Sequence, residues 1–179
     1  MKNILIHGDG IIGKLTAIAL SRYFDIYILS GQNNTSPKNK QERYFSINLL
    51  SKFMLERYKI WDLLNTKELN GYNKIITWNE SFDENVTFDS SEISFDKLGY
   101  IIKESDIKES LNSQISYKNN IFTLRPEDID KTLDLNPEFI IKSDQLKEKL
   151  NFEKINYSQK AIVLDLTIDK NINTNIAYQ

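Results

Sequence analysis

An apolar run of Ile4, Leu5 and Ile6 leads directly into Gly8-Asp9-Gly10-Ile11-Ile12-Gly13, after which the chain takes up helical periodicity. A strand, a GxGxxG turn and a helix in that order leave few folds open. The short apolar run reads as a buried parallel strand. The helix is expected over about 11–24, with Ile12, Leu15 and Ala19 on its apolar stripe. A second strand, Ile26 to Leu29, completes a βαβ unit. In such a turn Gly8 permits the sharp bend, Gly10 admits a pyrophosphate to the backbone, and Gly13 lets helix and strand pack closely. The helix N-terminus, opening at Ile11 and Ile12, offers free N–H groups to the anion. The alternative is a glycine-rich turn in an α/β domain that binds nothing. A carboxylate is expected at the end of the second strand, to bond the ribose. Ser30 stands there instead, a neutral and therefore weaker partner.

Beyond residue 31 the pattern is mixed. Residues 31–41 are a polar loop rich in breakers, and a helix is expected over about 46–64. Strand signals follow at 74–78, 85–89, 93–95 and 99–103. Asp106, with Glu109 three residues on, reads as the capping box of a helix buried along Ile107, Leu111 and Ile115. Short strands are expected at 121–124 and 139–141, a short helix at 145–150, an alternating strand at 161–168 and a final β run at 176–178. With 179 residues the chain suits a single domain, 1–179.

Composition narrows the chemistry. The absence of cysteine excludes disulfides, thiolate metal sites and a cysteine nucleophile, and one histidine argues against a zinc site. His7 reads as a turn residue, and Trp61 and Trp78 as packing residues. A net charge of −2 gives no field for nucleic acid. No stretch approaches the ~20 apolar residues of a membrane span, and a cytoplasmic location is expected.

Several stretches carry a resemblance, in order along the chain. They are the GxGxxG segment 3–20; Arg43-Tyr44-Phe45-Ser46-Ile47-Asn48 with Ile60-Trp61-Asp62-Leu63-Leu64; Leu98-Gly99-Tyr100-Ile101-Ile102-Lys103-Glu104-Ser105; Phe139-Ile140-Ile141-Lys142-Ser143-Asp144; and Tyr157-Ser158-Gln159-Lys160-Ala161-Ile162-Val163. The sequence resembles the ubiquinone-biosynthesis aromatic-ring hydroxylases, a branch of the class A FAD-dependent monooxygenases. The resemblance implies an α/β fold: a Rossmann-like FAD-binding βαβ domain with an adjacent antiparallel sheet, to which 72–102 and 157–179 contribute. It implies FAD as cofactor, NAD(P)H as reductant and a polyprenylphenol as the ring hydroxylated. By position, Gly8, Gly10 and Gly13 would hold the pyrophosphate, Arg43 would contact the cofactor, and Asp144 would be the aspartate of the family's Asp-Gly motif. Arg43 also reads as a solvated arginine near Glu42, and Asp144 as an N-cap.

The chain departs from the family at Ser30 (usually Glu), Gln145 (Gly) and Glu104 (often Asn), and its hairpin between Leu124 and Phe139 is short. The family's Gly-Asp-Ala-x-His segment is absent from these 179 residues. The expectation is therefore a chain truncated relative to the family, binding FAD weakly and inactive alone. The other reading is a non-catalytic nucleotide-binding or interaction module, or a decayed remnant of such an enzyme. The strand at 161–168 presents an edge suited to pairing. A homo-oligomer or a complementary C-terminal fragment is accordingly expected as partner, with peripheral contact to the inner membrane through a lipophilic substrate.

Overall fold

The computed structural model describes residues 2–31, 42–65, 67, 69–78, 84–128, 135–143 and 174–178. Its centre is a four-stranded parallel sheet. β1 (Asn3–His7) lies between β2 (Asp25–Leu29) and β9 (Phe139–Lys142), and β8 (Ile121–Leu124) flanks β2, giving the order β8-β2-β1-β9. The three central residues of β1 are buried, as befits a parallel strand covered on both faces. The chain moves outward from β1 to β2 and β8, then returns to the other side of β1 as β9. That reversal creates a crevice beyond the carboxyl ends of β1 and β9, where ligands bind in open α/β sheets.

Two helices cover the sheet. α1 (Ile11–Leu20) and α3 (Glu104–Ser116) pack together, and Lys14 Nζ donates to Asn112 Oδ1 at 2.7 Å. Ile4, Ile6, Ile26 and Ile28 of the sheet meet Ala17 and Ile18 of α1 and Ile107 and Leu111 of α3 in one core. The same core takes in Leu55 of α2 (Leu49–Arg57), Ile60, Leu64 and Ile102. At about 25 cal/mol per Å² of apolar surface, each such side chain contributes roughly 1.5–3 kcal/mol.

Two small sheets complete the described fold. β3 (Tyr44–Asn48) and β4 (Asn70–Tyr72) pair antiparallel on either side of β7 (Gly99–Lys103). β5 (Lys74–Trp78) pairs antiparallel with β6 (Asn85–Asp89) and parallel with β10 (Ile176–Tyr178). The α/β architecture with adjacent antiparallel sheets matches the expectation from the sequence. Ile107 and Leu111 are buried and Ile115 packs against the core, as their spacing predicted.

Four local expectations are corrected. α1 buries Gly13, Ala17 and Ile18, not the stripe through Ile12 and Ala19; Ile12 is 65% exposed. The close approach of Gly13 to the strand end sets the phase, one residue from the predicted one. The helix expected from residue 46 begins at Leu49, because 44–48 form β3 and Asn48 caps α2 by accepting from Ser51 N at 2.8 Å. α3 starts at Glu104, not behind an Asp106 cap, since its first amide donates to Arg43 O at 2.7 Å. Residues 90–93 form a 3-10 turn where a strand was expected at 93–95, closed by Ser94 at φ 57°. The strand expected at 161–168 and the helix at 145–150 lie outside the described residues.

Candidate functional site

The turn after β1 is built by backbone geometry. Gly8 has φ 104°, a conformation open to glycine and strained for other residues. Its amide donates to Leu29 O at 3.0 Å, tying the turn to β2. Gly10 is the extended N-cap of α1, and its carbonyl accepts from Lys14 N at 3.0 Å. No side chain caps this helix and no acid lies in its first turn. The amides of Ile11, Ile12 and Gly13 therefore have no intrahelical acceptor, and the positive end of the dipole faces outward.

The glycines differ in what surrounds them. A Cβ on Gly10 would meet nothing within 4 Å, so open space lies over the turn where an anion would approach. A Cβ on Gly13 would lie 2.1 Å from Gly8 O and 2.6 Å from Ser143 Oγ. Gly13 is thus a packing glycine.

Ser143 closes the far side of the crevice. Its amide donates to His7 O at 2.8 Å, and its hydroxyl lies 2.9 Å from His7 O and 3.2 Å from Gly8 O. The sequence drew attention to its neighbour Asp144, which lies outside the described residues. Ser143 itself was missed, because its partners stand 135 and 136 positions away. Ser30 follows β2 at the level of Gly8, next after the His7–Leu29 pair, with its amide bonded to Leu124 O at 3.0 Å. Ser30 therefore shares the crevice edge with the glycine turn.

Arg43 lies beside β3 and α3. Its Nε is 3.4 Å from Glu104 Oε2, and its guanidinium sits 5.3 Å from the Phe45 ring centre. The buried Glu104 carboxylate also accepts from Lys108 Nζ at 2.7 Å. A charged series thus runs from Arg43 through Glu104 and Lys108 towards Lys14 at the start of α1. Burial holds the Lys14 ammonium below its ordinary pKa; the Asp9 carboxylate opposes that shift and Lys108 adds to it. Ile11 is half-buried at the helix start. His7 contributes its carbonyl to the Ser143 contacts. Trp61 packs edge-on to Tyr100, and Trp78 stacks on Tyr178. Among the described residues no cluster of His, Asp or Glu is placed to hold a metal, and no helix is long and apolar enough to cross a membrane.

No family model matches the chain. It is 26% identical to the mitochondrial ubiquinone biosynthesis monooxygenase COQ6 of Xenopus tropicalis over 122 residues, covering 63% of this chain and 26% of that protein. The COQ6 protein of Dictyostelium discoideum is 23% identical over an alignment covering 93% of this chain and 43% of its own length. The chain therefore spans less than half the length of the curated relatives it matches. Among solved structures, PqsL of Pseudomonas aeruginosa, described as a probable FAD-dependent monooxygenase, superposes with TM-score 0.54 at 13% identity, covering 69% of this chain and 32% of that one. The p-nitrophenol 4-monooxygenase PnpA of Pseudomonas putida gives 0.53 at 14%, covering 70% and 32%. At such identities the structures establish the fold. The curated relatives fall in the family that the sequence motifs resemble.

Proposed function

We propose, for a chain whose curated relatives are ubiquinone biosynthesis monooxygenases, that the crevice between β1 and β9 binds FAD. The observation carrying this reading is the open space over Gly10 at an uncapped helix N-terminus. An anion there meets free amides and a dipole worth about half a positive charge. The amides from Gly10 to Gly13 hold the pyrophosphate. Gly8 shapes the turn, and the Ser30 hydroxyl bonds a ribose oxygen. Arg43, anchored by Glu104, lends positive charge beside the cofactor, and Asp144 takes the position of the family's motif aspartate. Bound FAD supplies the redox and oxygen chemistry, and NAD(P)H is the reductant in this reading.

The proposal extends to the share of the relatives that the chain spans, which is flavin binding. Complete hydroxylation of a polyprenylphenol would require the rest of the pocket, which lies in the part of the relatives that these 179 residues do not span and which a complementary C-terminal segment would supply. The lipophilic tail of such a substrate would bring the assembly to a membrane surface. The neutral Ser30 makes the expected affinity for FAD weak, since a charged acceptor is worth roughly twice a neutral one. Ser30 also favours a second reading, a nucleotide-binding module without catalysis.

Titration calorimetry tests both. FAD should bind the wild-type chain weakly and Gly10→Val not detectably. The Cβ that the substitution adds meets no protein atom within 4 Å, so the variant should keep the wild-type circular dichroism, with stability lowered by no more than the about 1 kcal/mol expected at an N-cap. Equal FAD affinity in wild type and variant refutes the site. ADP-ribose binding as tightly as FAD would favour the module, because the flavin ring would then add nothing.

A further inference from the structure

α1, α2 and α3 end together, away from the glycine turn. A cavity of about 410 Å³ opens where they finish, floored by Ile18, Tyr58 and Gln114. Arg22, Arg57, Lys59 and Lys118 also line it, and among the described residues no carboxylate does. α1 begins at the glycine turn and ends here ten residues later. At 1.5 Å per residue, about 15 Å separate the two places.

Cations commonly gather at helix C-termini to satisfy free carbonyls. Here other donors do so. Ser21 donates its amide to Ala17 O and its hydroxyl to Ile18 O, both at 2.9 Å. Asn120 Nδ2 bonds Ser21 O and Phe24 O. Leu55 O accepts from Ile60 N and Glu56 O from Lys59 N. Ser113 O accepts from Ser116 Oγ, and Ile115 O from Lys118 N. Three helix ends carry about half a negative charge each, against four full positive charges. The cavity is net positive. Among the described residues Arg57 and Lys118 form no ion pair, Arg22 rests 5.4 Å over Tyr23, and Lys59 reaches Asp62 only at 4.0 Å.

Lys59 adds an independent observation. The Ile60-to-Leu55 and Lys59-to-Glu56 bonds make a Schellman end to α2, with Lys59 at φ 60°. Glycine takes that left-handed position without strain. A lysine there carries strain and delivers a cation to the cavity rim. Strain of this kind concentrates at ligand sites.

We propose that this cavity binds a multiply charged phosphate-class anion, gripped by the Arg57 guanidinium and the Lys118 ammonium and flanked by Arg22 and Lys59. Arginine's planar fork matches phosphate oxygens in pairs. The volume lies within the ~300–1,000 Å³ of small-ligand sites, and Ile18 with Tyr58 offers an apolar floor to an organic substituent. The source is either a free phosphate compound or a phospholipid headgroup.

The probe for the first source is inorganic pyrophosphate, titrated calorimetrically into the full chain at low salt. Gly10→Val should retain pyrophosphate binding, which separates this cavity from the glycine turn, and the cavity variants are compared in that background so that the turn contributes nothing. Arg57→Gln/Lys118→Gln should bind at least about tenfold more weakly, a difference of about 1.4 kcal/mol. Lys59→Gly should also weaken binding while raising the thermal midpoint, and it carries the test should the double variant lose its fold by circular dichroism. The second source is read by co-sedimentation with phosphatidylcholine vesicles, with and without phosphatidic acid. Capture only by the acidic vesicles, lost in the same variants, assigns the headgroup. Undiminished binding of both probes by the cavity variants, loss of pyrophosphate binding in Gly10→Val, or binding of neither probe by wild type overturns the proposal.

Discussion

Gly10 and Gly13 sit three residues apart in one turn and meet opposite surroundings, so they should respond oppositely to substitution. Gly10→Val is expected to remove FAD while leaving the fold. Gly13→Ala should do the reverse of what helix propensity suggests. Alanine in place of a helical glycine is worth up to about 1 kcal/mol. Here the new methyl would lie 2.1 Å from a backbone oxygen, which cannot rotate away. Overpacking of that kind costs typically about 1–3 kcal/mol, so urea unfolding should show net destabilisation. A second residue-scale case is Asp89, which bridges Lys74 of β5 at 2.9 Å and caps the 3-10 turn through Ser91. The Lys74 ammonium, helped by the Ser91 amide and hydroxyl, lowers the carboxyl from 3.8 to about 2. A depressed carboxyl stabilises the fold above its unfolded value and ceases to do so as pH falls through its folded value. Urea midpoints should therefore fall between about pH 4 and about pH 2, and Asp89→Asn should flatten that part of the profile.

At the scale of elements, Asn48 marks where a strand hands over to a helix. Its side chain is the cap of α2, so Asn48→Ala should cost about 1 kcal/mol by chemical denaturation. The sequence reading ran a helix through this boundary, because Ser46 to Leu50 form an unbroken stretch without glycine or proline. Phe45 and Ile47 are half-buried while Tyr44, Ser46 and Asn48 are exposed, a two-residue alternation too short to stand out beside a helix. The parallel strands were legible because each is a compact apolar run, and the glycine turn because its signal is wholly local. Ser143 and Glu104 were not. Their contacts arise only when β9 reaches β1 and when Arg43 reaches α3. The phase of α1 was also hidden, since a glycine, and not an apolar side chain, faces the strand.

For the whole molecule, the order β8-β2-β1-β9 makes β1 the hinge of the design, with one neighbour close in sequence and the other far. β2 follows β1 after one helix. β9 begins at Phe139, more than a hundred residues later. On a ribosome adding about 5–20 residues per second, the second edge of β1 stays unpaired for roughly 6–25 seconds of synthesis. During that interval the glycine turn exists without Ser143 to brace it, and the nascent sheet offers an open parallel edge to any passing strand. Chains arrested with residues only up to 137 outside the exit tunnel should fail to retain FAD. Chains arrested once Ser143 has emerged should gain protection of the β1 segment from brief proteolysis. The crevice is thus completed only when β9 arrives, and until then the second edge of β1 stands open to mispairing.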